Sequence, residues 1–221
     1  MLIDSMHVLL TAGPTYEPLD PVRFLGNRST GKMGYALAEA FAARGADVSL
    51  VSGPSSLPDP ASPRIRTMRV ETAAEMFAVA SSIAGVADVW VFAAAVADYR
   101  PAHVATEKIK KSGATLTLEL VKNVDIAATL GQSKRPEQFA VGFALETTNE
   151  LAHAQDKLRR KHFDLIVLNS LRDAGAGFGH DTNKVTVLDA AGQIVNFELQ
   201  SKADVARGLV SLILARLTPT P

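Results

Sequence analysis

Apolar and polar positions alternate along the chain in blocks that predict strands and helices in turn. The short apolar runs His7–Thr11 and Ala46–Val51 stop at glycine and proline, as buried strands do. Apolar residues recur at helical spacing in Thr30–Arg44, and Val89–Val96 is apolar throughout, which is typical of a central parallel strand. These repeated strand–helix–strand units predict an α/β fold with a doubly wound, mostly parallel, Rossmann-like sheet.

The rest of the pattern extends this sheet and ends it with an antiparallel edge hairpin. Thr72 and Glu75 stand at the spacing of a capping box and predict the start of a helix. A turn at Ala191-Gly192 joins the last two predicted strands. The further helices and strands are predicted over Ala73–Ala84, Asp125–Leu130, Asn149–His162 and from Ser201 onward, and over Ile65–Val70, Thr115–Leu120, Phe139–Leu145, Leu165–Leu168, Lys184–Leu188 and Ile194–Leu199.

Length and composition narrow the function classes. The chain has 221 residues, which favours a single domain over 1–221. Lys+Arg and Asp+Glu count 23 each, so the charge balance gives no support for binding nucleic acid. The sequence has no cysteine, which excludes disulfides, thiolate zinc sites and cysteine nucleophiles. Without a membrane-spanning run or a signal-peptide pattern, we expect a cytoplasmic protein that binds small molecules and no membrane.

The segment Gly26–Gly34 (GNRSTGKMG) opens a predicted helix with glycine and hydroxyl residues. Free amide groups at a helix N-terminus suit a phosphate, and glycines allow a close approach. The segment is not a P-loop, because Met33 stands where that motif needs Ser or Thr for Mg²⁺. A helix cap whose glycines serve packing explains the segment equally well.

Three further loops carry candidate side chains. In the proline-rich loop before the glycine segment, Arg23 and Asn27 could point at one ligand, although a solvated Glu17–Arg23 ion pair is the simpler interpretation. Asp98 follows small residues at a strand end, where it could bind a ribose or a metal–phosphate complex, or cap a turn. The lysines of Lys108–Lys111 could close over anionic oxygens, or be solvated. The five histidines are scattered and form no metal-binding pattern.

In chain order, these motifs resemble those of one enzyme family. The chain is similar to phosphopantothenate–cysteine ligase, the C-terminal half of a bacterial bifunctional coenzyme A biosynthesis flavoprotein, in the segments TAGPTYEPLDPVR, NRSTGKMG, AAVADYRP, KIKK, NVDI and GFALET. The resemblance extends from about Val8 to about Leu188. It departs from the family at Thr30, where Ser is usual, at Val124, where Pro is usual, and at Leu145, where Ala is common.

The resemblance implies a ligase that joins phosphopantothenate to L-cysteine with CTP. An acyl-cytidylate would form as pyrophosphate leaves, and the cysteine amine would then release CMP. The resemblance also implies Mg²⁺ or Mn²⁺ bound with CTP, no flavin in this chain, and a natural fusion to, or assembly with, a flavin-dependent decarboxylase domain. It further implies a homodimer, for which we expect the edge-like strand Thr115–Leu120 to pair between subunits.

The family's binding residues can be carried over where this sequence matches. By resemblance, the glycine loop cradles the triphosphate, Asp98 faces the nucleotide and its metal ion, and Phe143 borders the cytosine with Val124–Ala127. The expected nucleotide-binding residues are Gly13, Ser29, Gly31, Gly34, Phe92, Ala93, Ala94, Ala95, Asp98, Lys108, Val124, Asp125, Ile126, Ala127, Phe143, Lys157 and Lys161.

The resemblance assigns catalysis to three of the candidates. Lys108 would neutralise charge on the phosphates. Asn27 would orient the activated acyl group and stabilise the oxyanion in the cysteine step, while Arg23 would hold an anionic group of the substrate or intermediate. Arg23, Asn27 and Ala95 are the expected substrate-binding residues.

Two other functions stay open for a fold of this kind. A regulatory module could bind a nucleotide on the same scaffold without catalysis, because fold alone does not fix function. An NAD(P)-dependent reductase is the other candidate enzyme, although the second strand ends in Val51-Ser52-Gly53 rather than in the acidic residue that binds a ribose. Release of pyrophosphate from CTP and phosphopantothenate distinguishes the three.

Overall fold

The computed structural model describes residues 3, 5–110, 113–146, 148–170, 177 and 179–217. Twelve strands and five helices form within these residues. The strands are β1 (His7–Ala12), β2 (Tyr16–Pro18), β3 (Phe24–Gly26), β4 (Asp47–Ser52), β5 (Ile65–Arg69), β6 (Val89–Phe92), β7 (Tyr99–Pro101), β8 (Leu120–Lys122), β9 (Phe139–Glu146), β10 (Leu165–Ser170), β11 (Thr182–Asp189) and β12 (Ile194–Ser201). The helices are α1 (Lys32–Ala43), α2 (Ala73–Ala84), α3 (Ile126–Gly131), α4 (Glu150–Arg160) and α5 (Lys202–Leu217).

Eight strands form one twisted sheet in the order β12-β11-β10-β9-β6-β1-β4-β5. The strands from β10 to β5 are parallel to one another, and β11 and β12 add an antiparallel hairpin at one edge. Helices α1 and α5 cover one face of the sheet, and α2, α3 and α4 cover the other. The predicted α/β, doubly wound, mostly parallel sheet with an antiparallel edge hairpin is confirmed.

The alternation of side chains along each central strand explains its continuously apolar sequence. On β1, Val8 and Leu10 enter the core under α1 and α5, while Leu9 enters the core under the other helices. On β6, Trp90 is buried and its Nε1 donates to the carbonyl oxygen of Ala84 at 3.2 Å, so its one polar atom has a partner. The side chains on both faces of β6 are therefore buried.

Helix boundaries follow the local signals in the sequence. The Thr72 hydroxyl accepts from the Glu75 amide while the Glu75 carboxylate accepts from the Thr72 amide, so the predicted capping box is present. Observed and predicted helix bounds differ by one or two residues elsewhere, the uncertainty inherent in fraying ends. Helical spacing predicts that Leu151 and Leu158 form the buried stripe of α4; Leu158 is buried beside Ala154, but Leu151 is exposed.

Two small antiparallel hairpins lie beside the main sheet. They pair β2 with β3 and β7 with β8, and β2 lies against β7. The Tyr16 and Phe24 rings stack at 3.8 Å between centroids, which fixes the first hairpin. The expected strand Thr115–Leu120 is wrong: the strand covers only Leu120–Lys122 and pairs within its own chain. Its leucines alternate in sequence, but Leu116, Leu118 and Leu120 are all exposed.

The chain leaves the sheet soon after the carboxyl end of β6. The predicted strand Val89–Val96 ends at Phe92, and the following small residues leave the sheet while Ala95 still bridges to Pro14. Lys111, from the predicted lysine loop, lies outside the described residues. Among those that are described, no helix is both long and apolar enough to span a bilayer.

Candidate active site

One large cleft, of about 670 Å³, opens at the carboxyl ends of the parallel strands. Thr11 of β1, Phe92 of β6, Phe143 of β9 and Asn169 of β10 contribute to its floor. A doubly wound sheet places its ligand at this edge, because the helix N-termini and the loops that follow the strands meet there. The cleft is therefore the candidate active site.

Most of the residues expected from the sequence line this cleft. Those that do are Asn27, Ser29, Gly31, Gly34, Phe92, Ala93, Ala94, Ala95, Asp98, Val124, Asp125, Ile126, Ala127, Phe143, Lys157 and Lys161. Gly13, Arg23 and Lys108 are absent from the lining. Gly13 packs against Gly31, which does line the cleft: a Cβ on Gly31 would stand 3.4 Å from the Gly13 Cα.

The start of α1 forms one wall of the cleft. Gly31, the residue before the helix, has a left-handed backbone with φ 82°, and no side chain of the described residues caps the first turn. Gly34 packs directly on β1, because a Cβ there would stand 2.4 Å from the Ala12 Cβ. The first-turn amides of α1 therefore face the cleft without a side-chain acceptor, which is the arrangement that binds an anion at a helix N-terminus.

Asn27 bridges the two sides of the cleft. Its Nδ2 donates to the carbonyl oxygens of Ala95 at 2.9 Å and Val96 at 3.2 Å. Both amide protons are thus engaged with the chain itself, so Asn27 can donate to a ligand only by exchanging one of these bonds. The side chain is exposed and its Oδ1 has no partner in the described chain.

Two lysines of α4 reach the cleft already paired with carboxylates. Lys157 contacts Glu146 at 2.6 Å, and Lys161 contacts Asp125 at 2.9 Å. Asp125 also caps α3 by accepting from the Ala128 amide. Burial raises the pKa of Asp125, but its hydrogen bonds from Lys161 and Ala128 outweigh burial and leave that pKa below its usual range. Both lysines line the cleft, and their charges are neutralised in this conformation.

Arg23 and the lysine loop lie outside the cleft and are tied to each other. Arg23 pairs with Asp20, and its Nη2 donates to the Ile109 carbonyl at 2.9 Å, while the Ile109 amide donates to Asp20 at 3.1 Å. The Arg23 guanidinium, chiefly, holds the pKa of Asp20 far below its usual range. Lys108, next in the chain to Ile109, is exposed.

The expected Glu17–Arg23 ion pair is wrong. Glu17 is 2% exposed, and its carboxylate accepts from the Ala73 amide at 2.9 Å at the start of α2. Asp20 takes its place because it lies three residues before Arg23, on the inside of the turn where its carboxylate also accepts from the Val22 amide. Arg23 therefore braces the loop that carries Lys108.

Several residues of the cleft were not selected from the sequence; they include Lys32, Tyr99, Lys122, Asn123, Asn169, Asn183 and Lys202. Lys32 was visible inside the GKMG motif, and Lys202 follows the Ser201 that was expected to cap the last helix. The first signal was interpreted as a phosphate-binding helix start without a role for the lysine, and the second only as the start of a helix. Asn169 lies on β10 and Asn183 on β11; the strand order pointed to the segment between them, but no motif marked either side chain.

Acidic residues are sparse in the cleft. Among the described residues, no group of three or more His, Cys, Asp or Glu side chains converges as metal ligands. The acidic residues of the lining are Asp98, which is exposed, and Asp125, which is committed to Lys161. A single free carboxylate fits a divalent ion that arrives with phosphate oxygens as its other ligands, rather than one held by the protein alone.

Comparisons with known proteins show which family the chain is similar to. A relative from Bacillus subtilis (strain 168), named coenzyme A biosynthesis bifunctional protein CoaBC, is 45% identical over 213 residues, covering 96% of this chain and 52% of the relative. A relative from an unknown prokaryotic organism, named cysteine/cysteine sulfinic acid decarboxylase, is 47% identical over 212 residues, covering 96% of this chain and 59% of the relative. The chain thus spans only about half the length of these curated relatives.

A solved structure and a family profile cover nearly the whole chain. The crystal structure of the C-terminal domain of coenzyme A biosynthesis bifunctional protein CoaBC matches with a TM-score of 0.83 and 40% identity, covering 97% of each chain. The profile of the family described as DNA/pantothenate metabolism flavoprotein C-terminal domain matches residues 3–217. The resemblance inferred from the motifs is confirmed, and this chain belongs to the DNA/pantothenate metabolism flavoprotein C-terminal domain family.

Proposed function

We propose that this chain is a single domain that ligates phosphopantothenate to L-cysteine with CTP. The substrate carboxylate attacks the α-phosphorus of CTP, pyrophosphate leaves, and an acyl-cytidylate forms. The cysteine amine then attacks the acyl carbon, the bond to the phosphate oxygen breaks, and CMP and a proton are released. The names of the coenzyme A biosynthesis relatives support the pathway, and the cleft supports the reaction.

The observation that carries the proposal is the composition of the cleft. An uncapped helix start, a bridging carboxamide and a run of small residues from Ala93 to Ala95 border one space. Adenylation-type chemistry brings a carboxylate against a polyphosphate, and these two anions repel each other unless aligned amides and cations hold both. We place the triphosphate at the start of α1, and the cytosine between Phe143 and Val124–Ala127.

We propose that Mg²⁺ or Mn²⁺ enters bound to CTP and is held on the protein side by Asp98. The ion would screen phosphate charge and polarise the α-phosphate for attack. Asp125 is the less suitable ligand, because it already accepts hydrogen bonds from Lys161 and the Ala128 amide. No flavin enters this reaction.

Pyrophosphate release tests the function. We expect the purified chain to release pyrophosphate only when CTP and phosphopantothenate are both present, and to form the amide only after cysteine is added. CTP binding without release would favour the regulatory module, and oxidation of NADPH by added carbonyl compounds would favour the reductase. Replacing CTP with ATP measures how strictly the cleft selects its base.

We further propose that the chain acts as a homodimer. Exposed apolar residues on the two small hairpins and the segment before β8 form a surface that a second subunit would cover: Val22, Phe24, Leu25, Tyr99, Leu116, Leu118, Leu120 and Val121. Light scattering of the purified chain measures its mass directly; a monomer at micromolar concentration would contradict the proposal.

We also propose a cytoplasmic location, where CTP is made. We further propose that the chain works together with a flavin-dependent decarboxylase domain, which the bifunctional relatives support.

Lys108→Gln is expected to slow formation of the acyl-cytidylate by roughly ten- to a hundredfold. A hydrogen bond to a charged group contributes about 1.5–3 kcal/mol, and the lysine reaches the phosphates only when its loop moves toward the bound nucleotide. Single-turnover pyrophosphate release measures the effect. Lys110→Gln, an exposed residue in the same run, is the matched control and should change the rate less than about twofold. Equal losses in both variants would indicate a diffuse electrostatic effect.

The double variant Lys157→Ala/Lys161→Ala is expected to weaken CTP binding by about tenfold or more, at ~1.4 kcal/mol per tenfold. Removing these lysines leaves the charges of Glu146 and Asp125 without the lysines that neutralise them, so the variant adds repulsion to the lost attraction. Calorimetric titration of CTP at two ionic strengths should also show a shallower salt dependence. The variant Arg159→Ala, on the exposed side of the same helix, is the control. An unchanged dissociation constant at both salts would remove the two lysines from the site.

A further inference from the structure

A buried cation stands at the start of the last helix. Lys202 is the first residue of α5 and is 8% exposed. Its Nζ donates to the carbonyl oxygens of Gly177, at 3.1 Å, and His180, and its side chain lines the cleft. An ammonium has three protons to donate, so one remains beyond these two bonds.

Three features make this position unfavourable for a positive charge. Burial removes water from the ammonium, and the N-terminus of α5 already carries the positive end of the helix dipole. Lys32 adds a second positive charge nearby, and burial first and then Lys32 lower the pKa of Lys202. Among the described residues Lys202 forms no ion pair; the Asp181 carboxylate raises the pKa of Lys202 in part, but burial and Lys32 outweigh it.

Lys32, the first residue of α1, stands on the other side of the same segment. Its Nζ contacts Asp181 at 2.7 Å and the Gly179 carbonyl at 3.3 Å. The Asp181 side chain is 88% exposed, so the carboxylate that neutralises Lys32 can turn into solvent. Lys32 and Lys202 both line the cleft, where the uncapped start of α1 also faces it.

We propose that Lys32 and Lys202 form an anion subsite that holds the β- and γ-phosphates of the nucleotide and then the departing pyrophosphate. That the anion belongs to CTP rests on the proposed function; the subsite itself rests on the two lysines. A phosphate here supplies the negative charge that Lys202 lacks, takes its remaining proton, and displaces Asp181 from Lys32. Neither lysine belongs to the residues expected from the sequence to bind the nucleotide.

The alternative is that the two lysines only fasten the backbone of Gly177 and residues 179–181. Both donate to carbonyl oxygens of this segment, and the Lys202 amide donates to the Asp181 carbonyl at 2.8 Å. A neutral donor would do this without burying a charge. The two roles therefore predict different pyrophosphate affinities when the charge of Lys202 is removed and a hydrogen-bond donor is kept in its place.

Titration of inorganic pyrophosphate and of CMP into the purified chain separates these roles. Lys202→Gln keeps a donor and removes the charge, and it should weaken pyrophosphate binding by about tenfold or more while leaving CMP binding within about twofold. Asp181→Asn removes the charge that competes for Lys32, and it should tighten pyrophosphate binding by roughly three- to tenfold. Arg207→Gln, on the exposed side of α5 and paired with Asp204, is the control and should change neither.

The signs of these changes decide the matter. If Lys202→Gln leaves pyrophosphate affinity unchanged, or if Asp181→Asn weakens it, the subsite is overturned and the lysines fasten the segment. If Lys202→Gln does not fold, Asp181→Asn alone decides, because its exposed carboxylate tolerates the change. Pyrophosphate binding with these responses in a chain that never releases pyrophosphate from CTP would overturn the proposed function and keep the subsite. If the chain turns over CTP normally but its pyrophosphate affinity does not respond to these substitutions, the proposed function stands and the subsite is overturned.

Discussion

Asn27→Asp should slow amide formation from the acyl-cytidylate by about a hundred- to a thousandfold while CTP binding changes little. Removing one donor to a developing oxyanion typically costs about 3–4 kcal/mol in the barrier, and a carboxylate at this position adds repulsion. Asn27 lies in the glycine segment and reaches the carbonyl oxygens of Ala95 and Val96, where we propose that the two substrates meet. The exchange is nearly isosteric but removes both hydrogen bonds to Ala95 and Val96, so CTP binding is measured together with the rate to detect any displacement of the loops.

Rapid quenching followed by mass spectrometry measures the effect. The acyl-cytidylate should accumulate in the variant, because its formation continues while its consumption is slowed. Asn196→Asp is the matched control: Asn196 lies on the edge strand β12, and its Oδ1 acceptor for Thr186 survives the exchange. Amide formation at the wild-type rate would contradict the oxyanion role. Loss of CTP binding without accumulation would show instead that Asn27 positions the loops through its two carbonyl bonds.

The fold could be predicted from the sequence where a pattern extends over a whole helix or strand. The apolar run that begins at Val89 is buried on both faces, and the capping box of Thr72 fixes the start of α2 as the spacing predicts. The strands β2, β3 and β7 could not be predicted, because three residues are too few for a period to show. Their pairing depends on individual side-chain contacts, such as the stack of Tyr16 on Phe24, and these leave no periodic pattern in the sequence.

The site could be predicted where its residues lie near the carboxyl ends of parallel strands. Parallel strands bring the residues that follow them to one edge, so Asp98, Asn27 and Phe143 could be expected to share a cleft. Lys202 could not, because its place depends on how α5 packs against α1, from the far end of the chain. The partner of Arg23 was missed for a similar reason. The turn geometry, rather than the number of nearby carboxylates, selects Asp20 over Glu17.

Gly34→Ala should both destabilise the chain and weaken CTP binding by about tenfold or more. Alanine is the better helix former by about 1 kcal/mol, so helix propensity alone predicts a stabilised variant. The added Cβ, however, would stand 2.4 Å from the Ala12 Cβ and 3.2 Å from the Ala12 Cα, where backbone and not a flexible side chain must give way. Overpacking of this kind typically costs about 1–3 kcal/mol. Helix α1 must then move off β1, and its first-turn amides leave the phosphate position.

Chemical denaturation and CTP titration of the same samples separate the two effects. Gly85→Ala is the matched control, because Gly85 ends α2 with ordinary helical backbone angles and nothing lies within 4 Å of its Cβ position. It should leave CTP binding unchanged and stabilise the chain by up to about 1 kcal/mol through the unfolded state. If Gly34→Ala were as stable as its control and bound CTP normally, the contact between α1 and β1 would not set the position of the helix. The triphosphate would then have to be held by other groups than the start of α1.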